Sequence, residues 1–208
     1  MSKVIGILGG SFDPIHYGHL NIANDLQQLF NFDKFIFMPC GNPVFKKNNL
    51  ASNHHRLNML NIAINGKNNF VVDERELHRN SKSYSILSLE ELQQEYPATS
   101  LVWIMGLDAF NHFHEWYRYQ DILNIANLVV ISRPDAANLA DQLLASHLTH
   151  NPNDILSVPT GKIYFFPHSN YPYSSSSIRN ALKNNQVPNG LPDDILTYIH
   201  NNNCYQFT

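Results

Sequence analysis

The sequence predicts an open, doubly wound α/β fold around a parallel sheet. Three observations lead there. Short apolar runs alternate with helical patterns along the whole chain, the signature of a sheet covered on both faces by helices. The run Leu101 to Met105 is continuously apolar, as a strand buried on both sides is. No internal repeat and no flexible linker divides the 208 residues. One domain over residues 1–208, with a small helical part from about residue 174, therefore accounts for the chain.

The elements follow in order. Lys3 to Leu8 is a buried strand, and Leu20, Ile22, Ala23, Leu26, Leu29 and Phe30 after it recur at helical spacing. Lys34 to Met38 is a second strand, closed by Pro39. Ser52 can cap a helix whose stripe is Leu57, Leu60 and Ile64, and Phe70 to Val72 returns as a strand. Ile86, Leu89 and Leu92 mark a further helix. The strand from Leu101 is broken by Gly106, and Leu128 to Ile131 forms the next, ended by Arg133-Pro134. Ala136 to Ser146 reads as helix, His147 to Gly161 as a polar loop, and Ile163 to Phe166 as the last strand. One closing helix starts in the serine run Ser174 to Ser177 and carries Ile178 and Leu182; the other carries Leu191, Ile195 and Ile199, with Pro192 in its first turn.

Composition narrows the function. A chain of this length buries about 70% of its unfolded surface, ample for an enzyme core. With 43% hydrophobic and 15% charged residues it reads as globular. No apolar run approaches the ~18 residues of a membrane span, and the start lacks the pattern of a secretory signal, so a soluble, cytoplasmic protein is expected. The net charge of −3 lacks the basic excess of a general nucleic-acid binder, but leaves small anionic ligands open. Cys40 and Cys204 form no CxxC pair and read as packing residues. His54-His55, His112-x-His114 and His147-x-x-His150 lack a nearby third ligand and read as surface or supporting histidines, so no protein metal site is expected.

Open α/β sheets bind ligands beyond the carboxyl ends of their strands, where strand order reverses. The run Gly9-Gly10-Ser11-Phe12-Asp13-Pro14-Ile15-His16-Tyr17-Gly18-His19 stands at such a place, between the first strand and a helix. Glycines let a backbone turn and approach a ligand closely. The helix opening near Gly18 offers unpaired N–H groups and a positive dipole end to phosphate. His16 and His19, three residues apart, project on one side of that opening. Two imidazoles there can donate hydrogen bonds to a phosphate whose charge grows during transfer.

This run resembles the GxFDPxHxGH signature of the nucleotidyltransferase superfamily that shares an HxGH motif with class I aminoacyl-tRNA synthetases. Ser174-Ser175-Ser176-Ser177-Ile178-Arg179 resembles its second phosphate motif, SSTxIR, with Ser176 where threonine is usual. The serine hydroxyls suit phosphate oxygens, and Arg179 can grip two at once. The resemblance implies a Rossmann-like nucleotidyltransferase fold and a triphosphate clamp made from the two motifs.

Three middle segments resemble nicotinic acid mononucleotide adenylyltransferases in particular. Asp73-Glu74-Arg75-Glu76 with Arg79 and Ser83-Tyr84-Ser85-Ile86-Leu87-Ser88-Leu89 is similar to their DxRE…R…SYTxxTL, with Ser85 in place of threonine. Gly106-Leu107-Asp108 followed by Trp116 is similar to GxDxxxxxxxW, and Ser132-Arg133-Pro134 to a strand-end SRP. The resemblance implies that Gly9, Gly10, Ser11, Phe12, His16, His19, Gly106, Asp108, Arg133, Ser175, Ser176 and Arg179 bind ATP. It implies too that Ser85, Trp116 and Tyr117 hold the pyridine ring, with Lys46 on the acceptor. Phe45 stands where the family often has a histidine. The implied reaction is attack of a mononucleotide phosphate on the α-phosphorus of ATP, with His16, His19, Lys46 and Arg179 offsetting charge and Mg²⁺ arriving with ATP. The oligomeric state stays open, a homo-oligomer included. Two other readings share the first motif: an adenylyl- or cytidylyltransferase for another small substrate, and a non-catalytic nucleotide sensor on the same fold.

Overall fold

A computed structural model describes residues 3–44, 51–132, 142–167 and 171–205 of the chain. The elements in order are β1 (Lys3–Gly10), α1 (Tyr17–Phe30), β2 (Lys34–Pro39), α2 (Asn53–Ile64), β3 (Phe70–Val72), α3 (Ser85–Glu95), β4 (Thr99–Gly106), α4 (Leu107–Phe110), α5 (Tyr119–Ile125) and β5 (Ala126–Ser132). Then come β6 (Leu148–Thr149), α6 (Asn153–Ser157), β7 (Ile163–Pro167), α7 (Ser175–Lys183) and α8 (Asp193–Asn201). The strands form one parallel sheet in the order β3-β2-β1-β4-β5-β7-β6. Order grows outward from β1 in one direction and resumes from β4 in the other. The loops after β1 and β4 thus flank the point of reversal, where such sheets bind ligands.

Successive side chains of a strand point to opposite faces, and each face has its own core. Val4, Leu8, Phe35, Phe37, Val102, Ile104 and Val129 meet α1 and α2, together with Ile178 of α7 and Ile195 and Ile199 of α8. The alternate residues Ile5, Ile7, Ile36, Met38, Leu101, Trp103, Met105, Leu128 and Val130 meet α3 and α5. Each fully buried Leu, Ile or Phe contributes roughly 1.5–3 kcal/mol, so these two layers hold the sheet rigid beneath the loops. Among the described residues no helix is long and apolar enough to cross a membrane.

Five expectations are corrected. Within His147 to Gly161, read as a loop, β6 pairs with β7 and α6 buries Ile155; the Asn127 amide donates to the Ile155 and Val158 carbonyls and anchors this stretch. Polar residues mask both short elements in the sequence, because α6 sends only Ile155 fully into the core, with Leu156 half-buried beside it. Of the helix expected over Ala136 to Ser146, the described part is a 3₁₀ turn, Gln142–His147, and residues 136–141 lie outside the described residues. Leu29 is 42% exposed, off the buried stripe of α1 that Leu20, Ala23, Leu26 and Phe30 form. On α2 the buried set is Arg56, Met59, Leu60 and Ile64, with Leu57 only half-buried. Pro192 stands at the N-cap of α8 instead of in its first turn.

Candidate active site

The first motif folds into a tight connection between β1 and α1. Phe12 has φ of 47°, a left-handed backbone that turns the chain, and its buried ring lies edge-on to His19 at 5.1 Å. His16 occupies the N-cap of α1 in extended backbone, and its carbonyl accepts from the His19 and Leu20 N–H groups. The spacing expected to place both histidines on one side does so: their rings stack with centroids 3.8 Å apart. Gly18 is required by this stack, because a Cβ there would stand 2.9 Å from the His16 ring. His16 is 5% exposed, and burial pushes its pKa down to about 4. Its Nδ1 has no hydrogen-bond partner among the described residues. Gly9 and Gly10 differ from expectation in one respect. The places where their Cβ atoms would stand are taken by Trp103 and Phe12, so their smallness also serves internal packing.

The second motif is docked onto the first. Ser174 caps α7, and Ser174 and Ser177 exchange hydrogen bonds as a capping box. The Ser175 hydroxyl donates to the Pro14 carbonyl at 3.0 Å. Arg179 Nη1 donates to the Asp13 carbonyl at 2.6 Å, while Nη2 lies 3.4 Å from Ser176 Oγ. The Asp13 carboxylate is itself buried and accepts from the Tyr205 hydroxyl at 2.7 Å and from Ala51 N–H at 3.2 Å. Two motifs 160 residues apart in sequence thus form one body at the end of β1.

A buried guanidinium joins this body to the loop after β2. Arg56 is 0% exposed and donates to the Ser11 carbonyl at 2.7 Å, the Cys40 carbonyl at 2.8 Å and Asn53 Oδ1 at 2.6 Å. Burial pushes its pKa down, opposed by the electrostatic pull of Cys40, Asp13 and Tyr205. Cys40, half-buried, lies 3.8 Å from Ser11 Oγ, and Cys204 is buried. Arg56 and Tyr205 are residues that sequence reasoning missed. Asp13 and Glu76 stood inside quoted motifs, but neither was given a role.

The remaining expected residues that the structure describes follow β4 or open α3. Gly106 and Asp108 are exposed where β4, hydrogen-bonded beside β1, passes into α4. Ser85 opens α3, and the ring of Tyr84 before it lies 4.8 Å from that of Tyr117. Trp116 is half-buried against Phe113, with ring centroids 5.6 Å apart, and Tyr117 is exposed. The charged segment before α3 largely satisfies itself: Arg75 pairs with Asp73 and Glu95, and Arg79 with Glu91. Phe45, Lys46 and Arg133 lie outside the described residues. The paired histidines engage protein groups: His112 contacts Glu115, His147 contacts the Gly161 carbonyl, and His55 contacts the Tyr198 hydroxyl. Among the described residues no three His, Cys, Asp or Glu converge as a metal site.

The profile of the Cytidylyltransferase-like family matches residues 7–181, a span that holds both motifs. A probable nicotinate-nucleotide adenylyltransferase of Legionella pneumophila (strain Lens) is 35% identical over 208 residues, covering 97% of this chain and 99% of the relative. One from Vesicomyosocius okutanii is 39% identical over 199 residues, covering 95% and 94%. The chain belongs to the nicotinate-nucleotide adenylyltransferase family. The fold of this family member matches a solved structure of Plasmodium falciparum nicotinic acid mononucleotide adenylyltransferase complexed with NaAD, with a TM-score of 0.74 at 22% identity over 99% of this chain and 98% of that one. Family membership covers β1 through α7, so the stacked histidines and the docked Arg179 both fall within it.

Proposed function

We propose that the chain transfers AMP from ATP to nicotinic acid mononucleotide, giving deamido-NAD and pyrophosphate in NAD biosynthesis. The observation that carries this reading is the stacked His16–His19 pair at the opening of α1, with Arg179 fastened beside it through Asp13. An oxygen of the mononucleotide phosphate forms a bond to the α-phosphorus of ATP, and the bond from that phosphorus to the pyrophosphate oxygen breaks. The attacking phosphate is already ionised at neutral pH, so no protein nucleophile is needed. The work left to the protein is alignment and offsetting charge.

His16 and His19 donate hydrogen bonds to phosphate oxygens as charge builds toward the leaving group. The backbone of Gly9, Gly10, Ser11 and Phe12 borders the same phosphates, and Ser175, Ser176 and Arg179 hold the outer ones. Gly106, Asp108 and Arg133 serve the nucleoside end of ATP. Ser85, Trp116 and Tyr117 hold the pyridine ring, with Lys46 at the acceptor phosphate. ATP would arrive as its Mg²⁺ complex, the ion being part of the substrate and offsetting phosphate charge. His16 is neutral in the free protein, and a triphosphate beside it opposes the effect of burial and favours its protonated, doubly donating form. The net charge of −3 lacks the basic excess of a nucleic-acid binder and supports a role on small ligands; the role proposed is cytoplasmic, away from membranes.

Pyrophosphate release from Mg²⁺-ATP in the presence of nicotinic acid mononucleotide, nicotinamide mononucleotide or phosphopantetheine tests the reading, with CTP offered in place of ATP as a further arm. Turnover is expected with ATP and the acid mononucleotide. Turnover confined to another acceptor, or to CTP, overturns it.

A further inference from the structure

The loop after β2 leaves the sheet beside the first motif, since Cys40 N–H donates to the Gly10 carbonyl and Arg56 ties the Ser11 and Cys40 carbonyls together. What holds the next two residues is a hydroxyl from the far side of the site. Ser83 Oγ accepts from Gly41 N–H at 3.1 Å and from Asn42 N–H at 3.2 Å, and Ser83 N–H donates to the Asn42 carbonyl at 2.9 Å. A serine hydroxyl has two acceptor lone pairs and one proton. With both lone pairs engaged, the hydroxyl has its proton left to donate, and burial raises the Glu76 pKa against hydrogen bonds from the Ser88 and Ser83 hydroxyls.

Glu76 is 3% exposed and also accepts from the Ser88 hydroxyl at 2.7 Å; Ser88 Oγ in turn accepts from Arg79 Nη1 at 3.1 Å. The backbone of the same stretch closes on the loop. A Cβ at Gly41 would stand 2.2 Å from the Glu76 carbonyl oxygen. Two residues beyond Ser83, Ser85 opens α3, and Tyr84 between them lies against Tyr117.

We propose that Glu76 and Ser83 are positioning residues for acceptor recognition: the buried carboxylate orients the Ser83 hydroxyl, and that hydroxyl locks the Gly41–Asn42 backbone in register with the start of α3. The Gly41–Asn42 backbone and the helix start carrying Ser85 are then one unit, set for one acceptor. This rests on the adenylyltransferase reading above, because it names what fixes the acceptor half of that same site. Neither residue touches the reacting atoms. Their substitution acts through the loop, as a small misplacement of a substrate-binding element does, by up to about 10²-fold.

The experiment measures KM for nicotinic acid mononucleotide, KM for ATP and kcat in the wild type and in Ser83→Ala, Ser83→Thr and Glu76→Gln. Ser83→Ala and Glu76→Gln are expected to raise the acceptor KM by about 10- to 100-fold while the ATP KM stays within about twofold. Ser83→Thr keeps the hydroxyl and is expected to stay near wild type. Should Ser83→Ala lose its cooperative melting transition, Ser83→Cys keeps the size of the side chain with a weaker acceptor and is expected to show the same split. An unchanged acceptor KM in a folded variant overturns the proposal, as does an equal rise in both KM values or a Ser83→Thr variant as impaired as Ser83→Ala. Wild-type chain without turnover on this acceptor overturns the function itself, and the positioning role with it.

Discussion

At the scale of single residues, the two stacked histidines have different expected signatures. His19→Ala should lose about 10²- to 10³-fold in kcat, the cost of removing one donor aimed at a transition state. Its melting temperature should move little by comparison, and a variant turning over at the wild-type rate contradicts the assignment. His16 adds a pH effect on stability. Its pKa falls from 6.5 to about 4 on folding, so the folded state holds the neutral ring while the unfolded state takes up a proton below 6.5. Stability is therefore complete above pH 6.5 and declines as pH falls toward 4, by roughly 3 kcal/mol over the whole window. Burial raises the Glu76 pKa and works in the opposite sense, lowering stability as pH rises from 4.5 through its raised value. Denaturant melts of wild type and His16→Asn at pH 7.5 and pH 5 separate the two, since only the wild type should carry the histidine slope.

Single residues also mark what was legible. His16, His19 and Arg179 could be named because each sits in a run whose neighbours specify it. Arg56 could not. Arginine is usually exposed, and nothing near Arg56 in sequence announces that its partners are the carbonyls of Ser11, 45 residues away, and Cys40, 16 away. Glu76 stood in the DxRE-like run, but nothing in that charged segment announces that its carboxylate is buried against the Ser88 hydroxyl. Buried polar groups are set by tertiary partners, and periodicity does not register them.

At the scale of elements, the strands and long helices were readable because period two and period 3.6 leave different marks, as in Phe35 and Phe37 against Leu20, Ala23 and Leu26. β6 and α6, two and five residues long, are too short to show either period. The junction of the β2 loop with the segment before α3 makes a sharp prediction. Gly41→Ala would press a methyl group onto the Glu76 carbonyl oxygen, which as backbone cannot swing aside. A destabilisation of about 1–3 kcal/mol is expected, read as a lowered melting temperature. The element pair α3 and the Trp116–Tyr117 turn bears on choice of acceptor. Backbone N–H groups at a helix start can donate to both oxygens of a carboxylate, whereas a carboxamide turns an NH₂ toward one of them. The acid mononucleotide should be preferred over the amide by at least about tenfold in kcat/KM. Trp116→Ala should weaken both and narrow the ratio only slightly, because stacking does not sense the exocyclic group. Equal use of acid and amide by the wild type contradicts the pocket.

At the scale of the whole molecule, the site is closed by contacts between distant parts of the chain. Tyr205 reaches Asp13 across 192 residues, and Arg179 reaches it across 166. Tyr205→Phe removes one donor from a buried carboxylate, a loss of about 1.5–3 kcal/mol for a bond to a charged group. Because the Asp13 carbonyl holds Arg179, the ATP KM should rise together with the fall in melting temperature. A drop in stability with unchanged ATP KM would confine Tyr205 to packing.

That closure also carries a timing. A ribosome lays down the GGSFDPIHYGH run first and needs about 10 to 40 s to reach Tyr205 at ordinary elongation rates. For about 8 to 32 s of that interval, until residue 179 is added, the chain carries both histidines without Arg179, to which the proposed function assigns the grip on phosphate. A fragment terminated before Arg179 is therefore expected to keep the histidine motif without its docked arginine and to release no pyrophosphate from ATP, so an early motif waits on a late one to be put to use.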